Sequence, residues 1–487
     1  MKKTFLTIIL VASTFATCFG QYKIIDNNLV FDKYLVSLGH RGIGFLGKDN
    51  FLIGNRGKFF LINKEFSSAE QLKIKDEGHH YYYYDTDYSG RFSIFNKDGK
   101  IVEYSFIIKK DNLILTKKSS TGSGNNLAFK YENTTFSGFQ KGDFASGMVA
   151  TSQNEKHQVL IINAISKAYK YKGSIVFVFD DEGEILWKKQ VQMNFKQVSF
   201  SLLDCAVSND GKEVYIASES YSYKGNDKVN STLEIKRVEE DEFANEEVIK
   251  NLDKKTVTNA KIIILSNDNV FLAANYEDDN DGGFFNLTFP KKDASDNTMN
   301  IVPYRKVIAS DIRYKDFLPN MHTSLFKGVY ETTDGIVSMI TEEAADITFN
   351  NKRNVVINSF NLAGEYQKTS ILFRKSSESY GTPVISVSVI NAKDKLLLIY
   401  NENKDNLSTN SPDNAAFLAG GFKNNGMVAL CEVVGGNIGN KYNIIDGKTS
   451  NLMFANILYV GDNFAMLKTM SYNTAPLKFG VCKLTWE

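Results

Sequence analysis

Two short acidic segments alternate carboxylates with other residues and end in glycine. The first reads EDDNDG and the second DTDYSG. Calcium takes about six to eight oxygen ligands, and calcium loops offer them in such alternation. The candidate calcium ligands are Glu277, Asp279, Asp281, Asp85, Asp87 and Ser89. Where the helical version of such a loop has a bidentate glutamate, these segments have Thr288 and Asn96. The match is therefore partial, and the alternative is an acidic hairpin tip that holds no ion.

A run of aromatic residues follows two adjacent histidines in HHYYYY, residues 79–84. Neighbouring side chains of a strand point to opposite faces, so His79 and His80 do not share one metal ion there. The same alternation places Tyr82 and Tyr84 on one face. Rings with a polar tip suit contact with protein or sugar, so these two tyrosines form a candidate binding surface. The alternative is that they pack inside the fold.

Motifs for nucleophilic, zinc or phosphate chemistry are missing from the sequence. It contains no G-x-S-x-G, no H-E-x-x-H and no P-loop, and its other histidines, His40, His157 and His322, lie in no such motif. A carboxylate pair could run glycoside hydrolysis, and Glu342, Glu343 and Asp346 end an apolar run. No catalytic residue is predicted from them, and no cofactor other than calcium is expected.

The composition is that of an ordinary globular protein. The 487 residues are 43% hydrophobic and 23% charged, with a net charge of +1. A chain so close to neutral has no electrostatic footprint for nucleic acid or for an anionic membrane. Cys205, Cys431 and Cys482 remain once the leader described next is removed. Such a sparse, odd set favours buried free thiols over a disulfide framework, although Cys431 and Cys482 could also pair.

Residues 1–20 have the pattern of a secretory signal peptide. Lys2 and Lys3 precede an apolar run from Phe5 to Ala12, and small residues follow up to Gly20. The run is too short to span a membrane. The sequence predicts cleavage near Gly20 and export of residues 21–487 to the periplasm or beyond. Lipid attachment at Cys18 is the alternative, and no later run is apolar enough to span a bilayer.

The remaining chain repeats one theme, in which an apolar or alternating run is followed by an Asn, Asp or Gly turn and a second run. Each such pair predicts a β-hairpin. The predicted hairpins are Arg91–Ile107, Ser174–Val191, Val198–Ser218, Lys261–Ala274, Val329–Ile340, Val355–Ile371 and Val387–Tyr400. Helical periodicity is nearly absent; for the segment Glu239–Leu252, a solvated loop or a single helix is expected.

Three of these hairpins share a finer pattern, a phenylalanine followed by a polar turn with glycine. The copies are Phe95–Ile101, Phe179–Ile185 and Phe360–Tyr366. Behind the second and third copies, further turns follow at Asp210-Gly211 and Asp394. Two hairpins make a four-stranded unit of roughly 60 residues, a size typical of propeller blades. The sequence predicts one all-β domain over 21–487, a β-propeller of about seven blades within a range of six to eight. The strand-like end, Leu477–Trp486, is expected to pair with the chain's start.

The segment Val176–Lys188, VFVFDDEGEILWK, resembles the repeat of quinoprotein-like propellers. It is also similar to WD-like repeats and to other exported bacterial propellers. The other two copies lack the tryptophan found at Trp187. The resemblance therefore implies the fold, and neither quinone chemistry nor any ligand residue.

These features predict an exported binding or scaffold protein without enzymatic activity. Its loop-lined propeller face would contact a protein partner in the cell envelope, since large interfaces need no recognisable motif. One alternative is a glycan-active hydrolase or lyase on the same fold. A second is a glycan-binding module that uses the exposed tyrosines.

Overall fold

The structure is a computed structural model. It describes residues 22–31, 43–46, 50–55, 58–63, 69–72, 89–95, 101–109, 112–119, 127–130, 144–165, 171–193, 199–224, 227–240, 247–278, 282–310, 325–343, 354–374, 386–408, 410, 425–446, 452–461, 463–471 and 479–486. Side-chain placements are described for Tyr22 and for most of these residues from 147 onward.

Eight four-stranded antiparallel sheets make up the described residues, and we number them as blades in chain order. Blade 1 is β2 (Ile43–Leu46), β3 (Asn50–Asn55), β4 (Lys58–Asn63) and β5 (Ala69–Leu72). Blade 2 is β6 (Ser89–Phe95), β7 (Ile101–Lys109), β8 (Asn112–Ser119) and β9 (Leu127–Lys130). Blade 3 is β10 (Phe144–Thr151), β11 (Gln158–Ile165), β12 (Tyr171–Phe179) and β13 (Ile185–Val191). Blade 4 is β14 (Ser199–Val207), β15 (Glu213–Lys224), β16 (Asp227–Glu239) and β17 (Glu247–Asp253).

The second half of the chain repeats the arrangement. Blade 5 is β18 (Thr256–Ile264), β19 (Asn269–Glu277), β20 (Gly282–Pro290) and β21 (Thr298–Pro303). Blade 6 is β22 (Leu325–Glu331), β23 (Ile336–Glu342), β24 (Val355–Asn361) and β25 (Tyr366–Leu372). Blade 7 is β26 (Ser388–Asn391), β27 (Leu396–Asn403), β28 (Gly426–Val434) and β29 (Asn437–Asp446). Blade 8 is β30 (Leu452–Val460), β31 (Phe464–Ser471), β32 (Phe479–Trp486) and β1 (Tyr22–Phe31).

The blades follow one another around an axis, with the first strand of each blade innermost. These first strands lie side by side, and β2 of blade 1 contacts β30 of blade 8 as well as β6 of blade 2. This order is that of a β-propeller. The predicted fold class is confirmed, and the eight blades lie at the top of the predicted range.

The two ends of the chain meet in blade 8. Strand β1 pairs antiparallel with β32, from Tyr22 opposite Trp486 to Phe31 opposite Phe479. The prediction that the final strand pairs with the chain's start is confirmed. Tyr22 also reaches into blade 7, where its Oη donates to Glu432 Oε1 at 2.5 Å. The ring is therefore closed by backbone pairing within one blade and by a side-chain bond to the next.

The core lies between the faces of neighbouring blades. Five apolar clusters fill the successive boundaries from blade 3 to blade 8. At the boundary of blades 5 and 6, for example, the Phe271 and Phe360 rings meet edge to face with their centroids 5.3 Å apart. A single four-stranded sheet cannot cover both of its faces, so each blade depends on its neighbours for burial.

Connections of two kinds emerge at opposite faces of the ring. Within a blade, the first and second strands, like the third and fourth, are joined mostly by tight turns, such as residues 332–335 and 362–365. At the other face lie the second-to-third connections and the links between blades, including 343–354, 373–387 and 404–425. We call these the tight-turn face and the long-connection face. Long loops on a rigid scaffold are where functional residues concentrate.

The predicted hairpins are present, but the predicted repeat unit is shifted. Phe179 and Phe360 both end third strands, whereas Phe95 ends a first strand, so only two of the three copies are equivalent. The hairpin after Phe179 and the one at Asp210-Gly211 belong to blades 3 and 4, respectively. The same turn chemistry forms any tight hairpin, and it therefore does not mark a position within the blade.

The expectation of a loop or helix over Glu239–Leu252 is wrong in its second half. Residues 247–253 form β17, the outermost strand of blade 4, with Val248 and Leu252 buried. An edge strand needs only one apolar face, which explains the weak pattern. The described residues do contain one α-helix, α1 (Tyr304–Ser310). No helix in the described ranges is long and apolar enough to cross a membrane.

Candidate functional site

Buried polar residues recur at one position in the second strands of blades 3 to 7. The carbonyls of His157, Glu213, Asn269, Ile336 and Lys395 close the preceding tight turns. The sixth residue after each of these is polar and almost fully buried. We call it the sixth position, and its occupants are Asn163, Glu219, Asn275, Glu342 and Asn401.

Four of these residues bond to the next blade around the ring: Asn275 Nδ2 donates to Thr341 Oγ1 at 3.4 Å, and the other three bond to backbone groups. Glu219 Oε1 accepts from the Val257 backbone N–H at 3.1 Å, and Glu342 Oε2 accepts from the Val387 N–H at 3.1 Å. Asn401 makes two such bonds with Phe454, to its N–H at 2.9 Å and to its carbonyl at 2.7 Å. A buried polar group must find a partner, and for these three the partner is the backbone where the next first strand begins. The sixth position thus links each of blades 4 to 7 to the next blade around the ring.

Between blades 6 and 7 this position belongs to a larger cluster of buried charges. The Arg374 guanidinium lies 3.1 Å from Glu342 Oε1, and its Nε lies 4.0 Å from Glu402 Oε2. All three residues are at most 2% exposed. The Arg374 guanidinium also packs on the Tyr400 ring, 4.4 Å from its centroid. We call Glu342, Arg374, Glu402, Tyr400 and Lys327 the Arg374 cluster.

The fold brings the cluster together at the long-connection face. Glu342 is the last residue of β23, Arg374 follows the end of β25, and Glu402 stands near the end of β27. Lys327, from the innermost strand β22, places its Nζ 2.9 Å from Glu342 Oε2. Ser386 Oγ donates to the same oxygen at 2.6 Å. Glu342 is therefore bound by groups from both blades.

The pKa values of the two carboxyl groups beside Arg374 are shifted in opposite directions. Burial alone would raise the pKa of Glu342, but the charges of Arg374 and Lys327 outweigh it and hold that pKa below its ordinary value. Burial raises the pKa of Glu402, and the more distant Arg374 charge only partly opposes it. Glu402 Oε1 accepts from the Asn403 N–H and from Asn406 Nδ2, both at 2.9 Å. Its Oε2 has no hydrogen-bond donor among the described residues.

The Tyr400 hydroxyl is a second buried polar atom without a hydrogen-bond partner among the described residues. Burial raises the pKa of its phenol well above the ordinary value, so the hydroxyl keeps its proton. Within the described ranges its Oη has no hydrogen-bond partner. Removing charged and polar groups from water costs several kcal/mol per ion, roughly, unless contacts compensate for it. Such groups with displaced pKa values are candidates for function.

The structure places only some of the residues predicted from sequence in this cluster. Glu342 belongs to it, whereas the Glu343 carboxylate turns to Asn354 Nδ2, 2.9 Å away. Asp346 lies outside the described residues. Sequence reasoning missed Lys327 on β22, Arg374 just after β25, and Glu402 on β27, because none of them lies next to Glu342 in the sequence. A polar residue after an apolar run in a second strand was the available signal for the sixth position.

The candidate calcium loops fall largely outside the described residues. Glu277 ends β19 opposite Gly282, while Asp279, Asp281, Asp85 and Asp87 are outside. Thr288 lies toward the other end of β20, opposite Phe271. Among described side chains, no group of three or more His, Cys, Asp and Glu residues could hold a metal ion. Calcium binding stays a prediction.

The other predicted sites are resolved unevenly. Tyr82, Tyr84, His40, His79, His80 and His322 lie outside the described residues. His157 stands before β11 at the tight-turn face, where its ring fills the space that a Cβ on Gly211 would need. Cys205, Cys431 and Cys482 are buried free thiols, which confirms the interpretation against a disulfide.

Solved structures align with this chain at low similarity. No protein-family model matches the sequence, and no curated protein sequence does. The polysaccharide lyase Uly1 aligns over 96% of this chain and 98% of its own, with 9% identity and a TM-score of 0.35. An oligogalacturonate lyase in complex with manganese aligns over 72% and 82%, with 10% identity and a TM-score of 0.34. A Penicillium chrysogenum α-L-arabinanase complexed with arabinobiose aligns over 64% and 88%, with 9% identity and a TM-score of 0.31.

These comparisons contradict the prediction of a non-enzymatic binding or scaffold protein. The three structures just described are two lyases and an arabinanase by name, and a prolyl oligopeptidase B from Galerina marginata also aligns, over 79% of this chain with 10% identity and a TM-score of 0.28. Their activities belong to those proteins. For this chain, function has to be argued from its own side chains.

Proposed function

We propose that the protein is a glycan-active enzyme, a hydrolase or lyase that works by acid–base chemistry at the Arg374 cluster. The observation that carries the proposal is the opposite displacement of the Glu342 and Glu402 pKa values around one guanidinium. Two carboxyl groups with divided protonation states are what glycan cleavage requires. Glu402 would supply the proton to the leaving oxygen, and Glu342 would stay ionised.

The position of the cluster supports this assignment. It lies at the long-connection face, where loops from two blades meet the ends of β23 and β27. Lys327 is the member that solvent reaches most, with 16% of its side chain exposed, and it stands on the innermost strand. A substrate therefore approaches from the Lys327 side. Glycans are the substrate class of the alternative drawn from sequence, and similar solved propellers are named for acting on them.

Location and processing are part of the proposal. The pattern of residues 1–20 supports export, with residues 21–487 as the mature propeller domain in the periplasm or outside the cell. Residues 1–20 lie outside the described part of the chain. The proposed partner of that domain is a glycan.

The test is cleavage of soluble polysaccharides by the wild-type protein and three variants. Oligogalacturonate and arabinan serve as acidic and neutral substrates, and new reducing ends and unsaturated products are measured. Glu342→Gln and Glu402→Gln preserve shape and remove the acid–base function, which typically costs about a hundredfold or more in rate. Glu365→Gln changes an exposed glutamate at the tight-turn face and should cleave like wild type.

Two results would refute the proposal. One is the absence of cleavage by wild type with every substrate tried. The other is that Glu342→Gln and Glu402→Gln cleave as fast as Glu365→Gln. Thermal unfolding of each variant shows whether a lost activity reflects lost structure. Unsaturated products would identify a lyase, and reducing ends without them a hydrolase.

A further inference from the structure

Lys327 occupies a β-bulge in the innermost strand of blade 6. Phe326 pairs with Thr341 and Gly328 pairs with Ile340, so Lys327 faces no residue of β23. Gly328 has φ of 133°, a conformation that L side chains rarely adopt. The Tyr330 hydroxyl donates to the Lys327 carbonyl at 2.8 Å and holds the bulge. Bulges of this kind commonly re-aim a side chain beside a functional site.

The fold itself does not require a cation at this place. In blade 4, Leu202 pairs with Ser218 and Asp204 pairs with Ala217, which leaves Leu203 in the bulge. Ser218 and Thr341 both stand one residue before the sixth position, so Leu203 and Lys327 are structural equivalents. Blade 4 thus forms the same bulge with an apolar residue. The bulge therefore does not explain why blade 6 has a lysine at this position.

The hydrogen-bond count of the Lys327 ammonium leaves room for a ligand. The group has three N–H donors. Glu342 Oε2 at 2.9 Å and Ser386 Oγ are its acceptors among the described residues. A third hydrogen remains, on a side chain that is 16% exposed and belongs to an innermost strand.

We infer that Lys327 is a ligand-binding residue, whose ammonium donates its third hydrogen to an oxygen of a glycan at the long-connection face. Glu342 and Ser386 hold the ammonium in place, and the bulge sets its position. The identity of the ligand as a glycan rests on the proposed function, while the binding role rests on the bulge and the donor count. A charge-assisted hydrogen bond of this kind should change affinity by about tenfold to a hundredfold.

The experiment is calorimetric titration of the full chain with oligogalacturonate and with arabino-oligosaccharides. Lys327→Leu copies the residue that blade 4 already has in its bulge, so the fold should be retained. It is expected to bind about tenfold to a hundredfold more weakly than wild type, and Lys327→Arg should bind within about threefold of wild type. Lys261→Leu is the matched control, since Lys261 also stands on an innermost strand and pairs with a carboxylate, that of Asp204.

The outcomes separate this inference from the proposed activity. If Lys327→Leu binds as tightly as wild type, or if neither oligosaccharide binds wild type, the inference is overturned. If Lys261→Leu weakens binding as much as Lys327→Leu, the special role of Lys327 is also refuted. If wild type binds and Lys327→Leu does not, but wild type cleaves nothing, the inference holds and the proposed reaction fails.

Discussion

Tyr22 and Glu432 are joined by a 2.5 Å hydrogen bond across the boundary of blades 7 and 8. The same carboxylate accepts from Lys395 Nζ at 3.0 Å and from Tyr442 Oη at 3.2 Å, and the Tyr22 and Tyr442 rings meet with their centroids 4.9 Å apart. These donors outweigh the effect of burial and hold the pKa of Glu432 below its ordinary value. The ring closure therefore carries a charged side-chain contact in addition to its backbone pairing.

Tyr22→Phe tests this contact. A hydrogen bond to a charged acceptor contributes about 1.5 to 3 kcal/mol, so the variant should lose roughly that much free energy of unfolding, measured by urea titration. Tyr442→Phe removes the longer bond to the same carboxylate and should cost less. Equal costs for the two variants would show that the Tyr22 bond has no special role in closure.

Asn401→Ala tests the sixth position. The variant leaves the N–H and carbonyl of Phe454 without their side-chain partner, at roughly 1 to 3 kcal/mol for each unsatisfied group. Its free energy of unfolding should fall by at least about 2 kcal/mol. Asn443→Ala, on an exposed position of β29, is the matched control and should change stability by no more than about 0.5 kcal/mol. Similar losses of unfolding free energy in the two variants would refute the role of Asn401 in linking blades 7 and 8.

Glu402→Gln should alter how stability depends on pH. The folded pKa of Glu402 lies above its ordinary value of 4.5, so its protonated form is favoured by folding. Wild type should therefore lose stability relative to the variant as pH rises from that ordinary value through the folded pKa, and the difference should then level off. Urea titrations between about pH 4 and pH 8 measure it.

For Glu342→Gln, the pH dependence of the stability difference from wild type should have the opposite sign to that of Glu402→Gln. The folded pKa of Glu342 lies below 4.5, so wild type holds its advantage above that pH and loses it as pH falls through the folded pKa. A stability difference that is independent of pH for both variants would contradict the assigned protonation states.

Gly364→Ala and Gly335→Ala separate backbone strain from crowding. Both glycines have positive φ in tight turns, 83° and 77° respectively. At Gly335 a Cβ meets only Leu362 at 3.5 Å, so alanine should cost the strain alone, roughly 1 kcal/mol. At Gly364 the Cβ would overlap Thr288 Oγ1, and the loss of unfolding free energy should be larger by about 1 to 3 kcal/mol. Equal losses of unfolding free energy in the two variants would show that Thr288 of blade 5 moves to accommodate the added methyl group.

The hairpins could be predicted because their signals are local. Asp180 Oδ1, for example, accepts from the N–H groups of Glu182 and Glu184, and Gly183 adopts φ of 76°. All of this lies within a few residues of sequence. The phase of the blades could not be predicted in the same way. Long-range pairing and burial decide whether β12 pairs with β11 or begins a new sheet. The turn sequences do not indicate which of the two occurs, because similar turns stand at different positions of the blades.

The candidate site shows the same division. Glu342 could be named because it ends an apolar strand, but Lys327 stands on another strand, Arg374 follows the end of β25, and Glu402 is in another blade. No short motif connects them, since the ring packing alone brings them together. The sixth position could have been predicted more easily, because an apolar run followed by Asn or Glu recurs in the second strands from β11 to β27.

The pairing of β1 with β32 sets the order in which the molecule can be completed during synthesis. At about 5 to 20 residues per second, the ribosome needs roughly 20 to 100 s to make the chain, and β1 waits through most of that time for its partner. Its apolar residues Ile24, Ile25, Leu29 and Val30 then belong to an unpaired strand, which is the kind of segment that aggregates. Among the described strands, the first in the sequence pairs with the last, so β1 stays unpaired until β32 has been made.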